Sequence, residues 1–406
     1  MENININFFR KENYFNKAIL ILFLLTLFSD FFMKINNYIG IIPYFRYSGL
    51  VKFFFEAFLV IIALKKGLDK KTIYSILVLI CCFFIGQFFL VKNSIFQSAF
   101  FDEVLKGDIY HLNKYIFIIL YVSIIYKHKD KIKLSKLVLN TIMVILSINS
   151  ILILYGFIFN FDLFQSFPGS KRFGYSGLFI KSGESVLLYV LASIYYYIYY
   201  LKGKSILPSI YFVFIALLSG KKIAFLVLPL FYIVHFCIQS RYKVFFRVFG
   251  VLATSIILIF KKNIIEVVVK FFPFWEKLLE ERGFWTVIFS TRDLNFNRTL
   301  DFISTHWAPV NYLFGGTNYN HLRIEIDPFD LFVFFGLIGG IIYLMLINKY
   351  YLKPIKNNIL KILLIGYFII GMIYGAFLFN ILLMTLLYLF VILFSSIEKE
   401  TNELKP

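Results

Sequence analysis

The sequence predicts an all-α polytopic integral membrane protein with about twelve transmembrane helices and one large external loop between spans 9 and 10. Three observations carry this. Of the 406 residues, 60% are apolar and only 16% charged, against about 25% charged in soluble domains. Mean hydropathy is +0.79. Apolar runs near the roughly 20 residues needed to cross a bilayer recur along the whole chain.

The spans are expected at 17–33, 49–64, 72–91, 115–126, 137–159, 183–201, 205–219, 223–238, 245–260, 329–347, 360–377 and 381–397. The fourth and the seventh are short. Arg10, Lys11 and Lys17 precede the first, with no small-residue cleavage site after it, so it reads as a retained span. Charge asymmetry orients the set. With both termini inside, the cytoplasmic loops hold 23 Lys and Arg and the short external loops 11. That bias follows the positive-inside rule and places the long loop outside. The chain then divides into 1–260 (spans 1–9, with an external loop at 160–182), 261–328 (the large external loop) and 329–406 (spans 10–12 and a cytoplasmic tail). The expected location is a bacterial inner membrane.

The net charge of +19 suits cytoplasmic loops facing anionic headgroups, and no nucleic-acid partner is expected. Cys81, Cys82 and Cys237 lie in apolar runs and form neither a disulfide framework nor a zinc spacing. The absence of an internal repeat argues against a secondary transporter. At 264–285 apolar and charged groups alternate around Pro273, which reads as an interfacial helix with Phe271, Phe272, Phe274 and Trp275 dipping toward lipid.

Chemistry concentrates in the external segments. Arg172, Arg282, Arg292, Arg298 and Arg323 all fall there, in a chain that elsewhere prefers lysine. A guanidinium fork grips phosphate or carboxylate bidentately. Arg282 follows Glu280 and Glu281 and reads as locally paired, whereas Arg172 and Arg292 suit an anionic ligand. Lys221 and Lys222, after Ser219-Gly220, make a positively charged turn compatible with phosphate. Glu325, Asp327 and Asp330 precede the tenth span. Asp330 reads as a helix-start carboxylate, and Glu325 or Asp327 as a general base for a hydroxyl. His321 and His306 are alternative bases. Glu56 lies within a span, where a charge is costly. Gly336 with Gly340, and Gly371 with Gly375, have the spacing of close helix packing.

Arg172-Phe173-Gly174, the turn Ser219-Gly220-Lys221-Lys222-Ile223, Ser290-Thr291-Arg292 ahead of an apolar helix at 300–307, and the turn Leu313-Phe314-Gly315-Gly316 occur in that order. Together with the span count, they resemble the O-antigen polymerase and ligase superfamily, over roughly 171–340. Ligases of that family carry a histidine about eleven residues before a Gly-x-x-Gly in the next span. Counting back from Gly336 reaches Glu325 instead, and Glu325-x-Asp327 looks more like the Wzy-type polymerases. The resemblance implies a glycosyltransferase that joins undecaprenyl-diphosphate-linked repeat units into O-antigen (lipopolysaccharide) or capsule. The transfer would be inverting, with no metal or other cofactor, at the outer face. Catalysis would fall to Glu325, Asp327, Arg292 and His321, and diphosphate binding to Arg172, Arg292, Arg298 and Lys222. Expected partners are the lipid-linked glycans, the bilayer, a flippase and a chain-length regulator. The alternatives are an O-antigen ligase, with His321 in the ligase role, and a lipid-linked oligosaccharide flippase.

Overall fold

The computed structural model describes residues 6–40, 47–93, 105–169, 172–260, 273–319 and 322–403. Among them the architecture is all-helical, and the one sheet-like pairing is an isolated bridge between Gln165 and Tyr175. In chain order the helices are α1 (Ile6–Ile39), α2 (Tyr47–Lys66), α3 (Lys70–Asn93), α4 (Leu105–Lys127), α5 (Lys131–Phe159), α6 (Ser182–Tyr200) and α7 (Leu207–Leu218). Next comes α8 (Lys222–Gln239), which passes through 3-10, α and π turns. The rest are α9 (Lys243–Ile259), α10 (Pro273–Arg282), α11 (Phe284–Phe289), α12 (Arg292–His306), α13 (Pro309–Phe314), α14 (Asp327–Ile347), α15 (Asn358–Tyr374) and α16 (Ile381–Glu403).

Among the described residues, seven helices are long and apolar enough to cross a membrane: those at Tyr14–Ile39, Tyr47–Lys66, Lys70–Leu90, Leu105–Lys127, Lys131–Phe159, Lys222–Gln239 and Asp327–Leu352. The expectation of twelve is therefore met by seven on length and composition. The five others differ for identifiable reasons. The 12 residues of α7 reach about 18 Å against roughly 30 Å of hydrocarbon. Its successor turn is fixed by a close contact at Gly220. In α6 a run of tyrosines and Glu184 lowers the apolar character, although its 19 residues are long enough. The helices α9 and α15 have 17 residues each, and in α16 the apolar run that begins at Ile381 gives way to Glu398 and Lys399. In the other direction, the fourth span is not short: α4 runs for 23 residues.

The helices are arranged by what surrounds them. In α6 and α16 nearly every residue from Ser182 to Tyr195 and from Leu382 to Phe394 is buried, so these two form the centre. On α2, α3 and α9 large apolar side chains such as Phe53, Phe54, Leu64, Phe88, Phe245 and Val251 face outward. A helix apolar all round with one face uncovered is built to meet lipid or another apolar surface.

Between α9 and α14 the described residues 273–314 are mostly helical, and residues 311–319 dock on α3 and α4. Asn311 Nδ2 donates to the carbonyls of Gly86 at 2.9 Å and Gly315 at 2.6 Å. Asp108, buried, accepts from the Tyr319 N–H and from Gln87 Nε2, both at 2.9 Å. Gly336 breaks α14 with φ 69°, and a Cβ on Gly315 would lie 2.6 Å from its nitrogen. Gly336 thus admits the Gly315 turn rather than a neighbouring helix. The expected close packing does hold at Gly339, whose Cβ would meet Cys82 Cβ at 3.3 Å across α3. Gly375 also departs from a packing role, being the left-handed end of α15 at φ 74°.

A candidate anion-binding and base site

Two loops bring the first cations together. After α5, Asn160 adopts a left-handed cap at φ 49°, and the chain turns back so that Gln165 bridges Tyr175. The Tyr175 N–H then donates to Leu218 O at 2.8 Å, and Ser166 Oγ donates to Ser219 O at 3.0 Å. The backbones cross at Gly174 and Gly220, both at positive φ. A Cβ on Gly220 would stand 2.7 Å from Gly174 Cα, and one on Gly174 3.1 Å from Gly220 Cα. Hence the motif at 172–174 and the turn at 219–223 are a single interlocked unit that sets Arg172 beside Lys221 and Lys222. Gly220→Ala is expected to lower stability by about 2 kcal/mol or more, from the left-handed backbone and the backbone collision. Thermal unfolding in detergent measures this, with Ser219→Ala as the comparison at a position that tolerates a Cβ.

Aromatic rings hold these cations. Arg172 Cζ lies 4.0 Å from the Phe167 ring centroid and Lys221 Nζ 4.7 Å from the same ring. Lys222 Nζ sits 3.2 Å from the centroid of Trp275 on α10, with Arg172 5.4 Å from it. Lys222 also donates to Val287 O on α11. Cation–ring contacts fix a charge without neutralising it. Trp275 therefore faces the site, not lipid as its sequence context suggests. Phe271 and Phe272 lie outside the described residues.

Arg292 joins from the other side. Ser290 and Thr291, at φ 55° and 71°, make a two-residue left-handed turn that costs roughly 1–2 kcal/mol per residue and starts α12 at Arg292 itself. Thr286 Oγ1 fastens the turn by donating to Asp293 Oδ2 at 2.6 Å. The guanidinium donates through Nη2 to Tyr374 O at 2.8 Å, and its Nε lies 3.8 Å from Glu325 Oε2. That Nε is buried without a hydrogen-bond partner. Arg172 and Arg292 both act electrostatically on Lys221 and Lys222. The Lys221 ammonium is pushed down to about 8 by burial, then by Arg172 and Arg292, with Glu325 opposing. Burial also lowers Arg172 and Arg292, the latter against the pull of Glu325. Arg298 is not part of the cluster. It is exposed and lies six residues beyond Arg292, about 240° round the helix.

The three carboxylates have separate fates. Asp330, 1% exposed, accepts the Ile324 N–H at 2.8 Å and the Glu325 N–H at 3.1 Å, and pairs with Arg323 Nε at 3.5 Å. This grip holds Glu325 at φ 65°, which turns its side chain outward to 51% exposure beside Arg292. Asp327, the first residue of α14 and buried, accepts the Leu378 N–H at 2.6 Å. It secures the turn between α15 and α16, whose Leu378 carbonyl is held by Tyr343 OH at 2.7 Å. Glu325 and Asp327 are two residues apart yet occupy different environments. His321 falls outside the described residues. Asp330→Ala is expected to cost about 3–5 kcal/mol, as one half of a buried pair is removed. Asp330→Asn, which keeps an acceptor, should cost less when both are compared by denaturation.

The turn at 375–380 is the element that sequence reasoning missed. Tyr374 O receives Arg292, and a Cβ on Gly375 would lie 2.8 Å from Glu325 Cα. Asn380 Nδ2 donates to Glu184 Oε1 at 2.7 Å. Its only signal in the sequence is a Gly-Ala-Phe break between two apolar runs. No groups of three or more His, Cys, Asp or Glu suited to a metal occur among the described residues. Comparison with protein-family models, with curated proteins and with solved structures finds no match for this chain.

Proposed function

We propose that the protein is a polymerase that joins undecaprenyl-diphosphate-linked oligosaccharide repeat units into O-antigen or capsular polysaccharide. The work would be done at the outer face of a bacterial inner membrane, by an inverting glycosyl transfer. The observation that carries this reading is the set of four cations, Arg172, Lys221, Lys222 and Arg292, around one exposed carboxylate, Glu325. Like charges held close together repel, and a bound diphosphate relieves them. The same cations stabilise the charge that develops on a diphosphate leaving group.

In this reaction an acceptor sugar hydroxyl attacks the anomeric carbon of the donor from the face opposite the diphosphate. The bond to the diphosphate oxygen breaks, its electron pair leaves with undecaprenyl diphosphate, and the hydroxyl proton passes to Glu325. Glu325 is favoured over Asp327 as base because Asp327 is buried, with Oδ2 held by the Leu378 N–H, whereas Glu325 is exposed beside Arg292. Lys222 opens α8, and further along α8 an apolar groove of ≈ 1200 Å³ lies between α7 and α9, which suits a prenyl tail. The twelve-span topology, with both termini cytoplasmic and 261–328 outside, belongs to this proposal. So do a flippase and a chain-length regulator as partners.

Deleting the gene and resolving the surface glycan on a gel tests the reading. A polymerase loss leaves lipid capped with one repeat unit. Uncapped core with polymer retained on the carrier would instead indicate a ligase, and repeat units stranded inside a flippase.

The cluster also predicts a pH profile. A polyprenyl diphosphate sugar keeps a constant charge near neutrality, so changes in its binding report the protein. Burial, and then Arg172 and Arg292, push the Lys221 ammonium down to about 8. It is present below that pH, when binding is strongest, and is lost above it. Affinity is expected to fall by up to about tenfold per pH unit above that point, until the lysine of the complex itself titrates. Lys221→Arg should make the fall shallower, measured by fluorescence titration of a labelled analogue.

A further inference from the structure

A second charged cluster lies on the other side of the 375–380 turn, and among the described residues one of its cations has no carboxylate of its own. Lys181 pairs with Glu184 at 3.0 Å, and Asn380 completes Glu184 at 2.7 Å. Arg323 pairs with Asp330 at 3.5 Å, and Lys52 on α2 is answered by Asp30 on α1. Glu56 is held by Asn113 at 2.7 Å. Lys114 on α4 remains. Of the charged groups that act on it, Lys181, Lys52 and Arg323 are cations and only Glu184, already engaged, is an acid. Its ammonium instead stands over aromatic rings, 4.1 Å from the Tyr110 centroid and 5.3 Å from that of Phe379. Arg323 Cζ lies 4.9 Å from the same Phe379 ring.

The cluster is continuous with the site described above. Tyr374 carries the Arg292 contact on its carbonyl, and its ring packs against Gly183, next to Glu184. Arg292 and Arg323 act on each other electrostatically. Solvent reaches the cluster at Tyr110 and at the Lys181 side chain, both exposed. A half-buried ammonium without an anion is unfavourable unless a ligand supplies one. An exposed flat ring such as that of Tyr110 suits the C–H face of a sugar.

We infer that Lys114, Arg323 and the exposed Tyr110 form a subsite for an acidic sugar of the acceptor repeat unit, with Lys114 as the specificity-determining residue for its carboxylate. The inference rests on the polymerase reading and adds the substrate class: a glycan whose repeat carries a uronic-acid type residue. The sugar ring lies against Tyr110, which is exposed, and its carboxylate meets Lys114. Arg292 and Glu325, across the turn, then face the acceptor's reacting end.

Full-length protein in nanodiscs is titrated with two polyprenyl-diphosphate disaccharides, identical except that one ends in glucuronate and the other in glucose. The glucuronate analogue is expected to bind about tenfold tighter or more, the worth of one charge-assisted contact. Lys114→Met should erase the difference between the two analogues, and Lys114→Arg should restore it. Unaltered thermal unfolding of Lys114→Met shows that the loss is not misfolding; if that variant unfolds early, Lys114→Gln provides the same comparison. Equal binding of both analogues by a protein that still needs Arg292 to bind them overturns the inference and leaves the polymerase reading standing. So does a preference that survives loss of the Lys114 ammonium. Binding of neither analogue removes both.

Discussion

Arg292→Ala is expected to slow repeat-unit transfer by about a thousandfold or more, the usual loss when a positioned donor to a developing anion is removed. The guanidinium occupies a position no other residue covers. It starts α12 after two left-handed residues, spends Nη2 on the Tyr374 carbonyl, and keeps its Nε buried and unpartnered toward Glu325. A diphosphate oxygen would complete that donor. Lysine at the same position keeps the charge but cannot hold the Tyr374 carbonyl and the ligand together, because an ammonium lacks the fork. Arg292→Lys should therefore recover only a small part of the rate. Transfer assays on purified protein separate the effects: a fall in kcat with little change in unfolding temperature supports leaving-group stabilisation. Near-normal polymer length from Arg292→Ala, with protein present in the membrane, would remove the role. Arg172→Ala should act in the same direction and more mildly, since the ring of Phe167 positions Arg172 beside Lys221 and Lys222, which remain.

Glu325→Gln should lower the rate by about a hundredfold to ten-thousandfold, the range for loss of a general base, with donor binding kept or tightened. The sign of the second effect follows from geometry. Glu325 lies 3.8 Å from Arg292 Nε and is the one carboxylate that opposes the cationic cluster at Lys221, so removing its charge leaves the cluster more positive for a diphosphate. A purely structural residue would not divide kcat from affinity in this way. Its left-handed backbone is unaffected by the exchange, because Asp330 holds the Ile324 and Glu325 N–H groups. Unchanged turnover would move the base elsewhere, and a companion Asp327→Asn variant is expected to act on stability first, through the Leu378 contact.

The all-helical class, most helix positions and the identity of the cationic residues are legible in the sequence, because each depends on local composition. An apolar run of about 20 residues can bury its backbone polar groups in lipid only as a helix. Arginines in a lysine-rich chain stand out without any knowledge of neighbours. What tertiary structure alone decided are the relations that close over long sequence distances. Arg172 meets Lys221 and Lys222 because Gly174 and Gly220 let two backbones cross. Trp275 turns to Lys222 because α10 docks there. Arg298 is excluded by helical phase. Glu325 and Asp327 look alike in the sequence, and their difference is set by partners: Asp330 turns the first outward, and the 375–380 turn captures the second. A backbone N–H offered from 51 residues away leaves no trace in local spacing, and which of two neighbouring carboxylates stays free is decided by that donor.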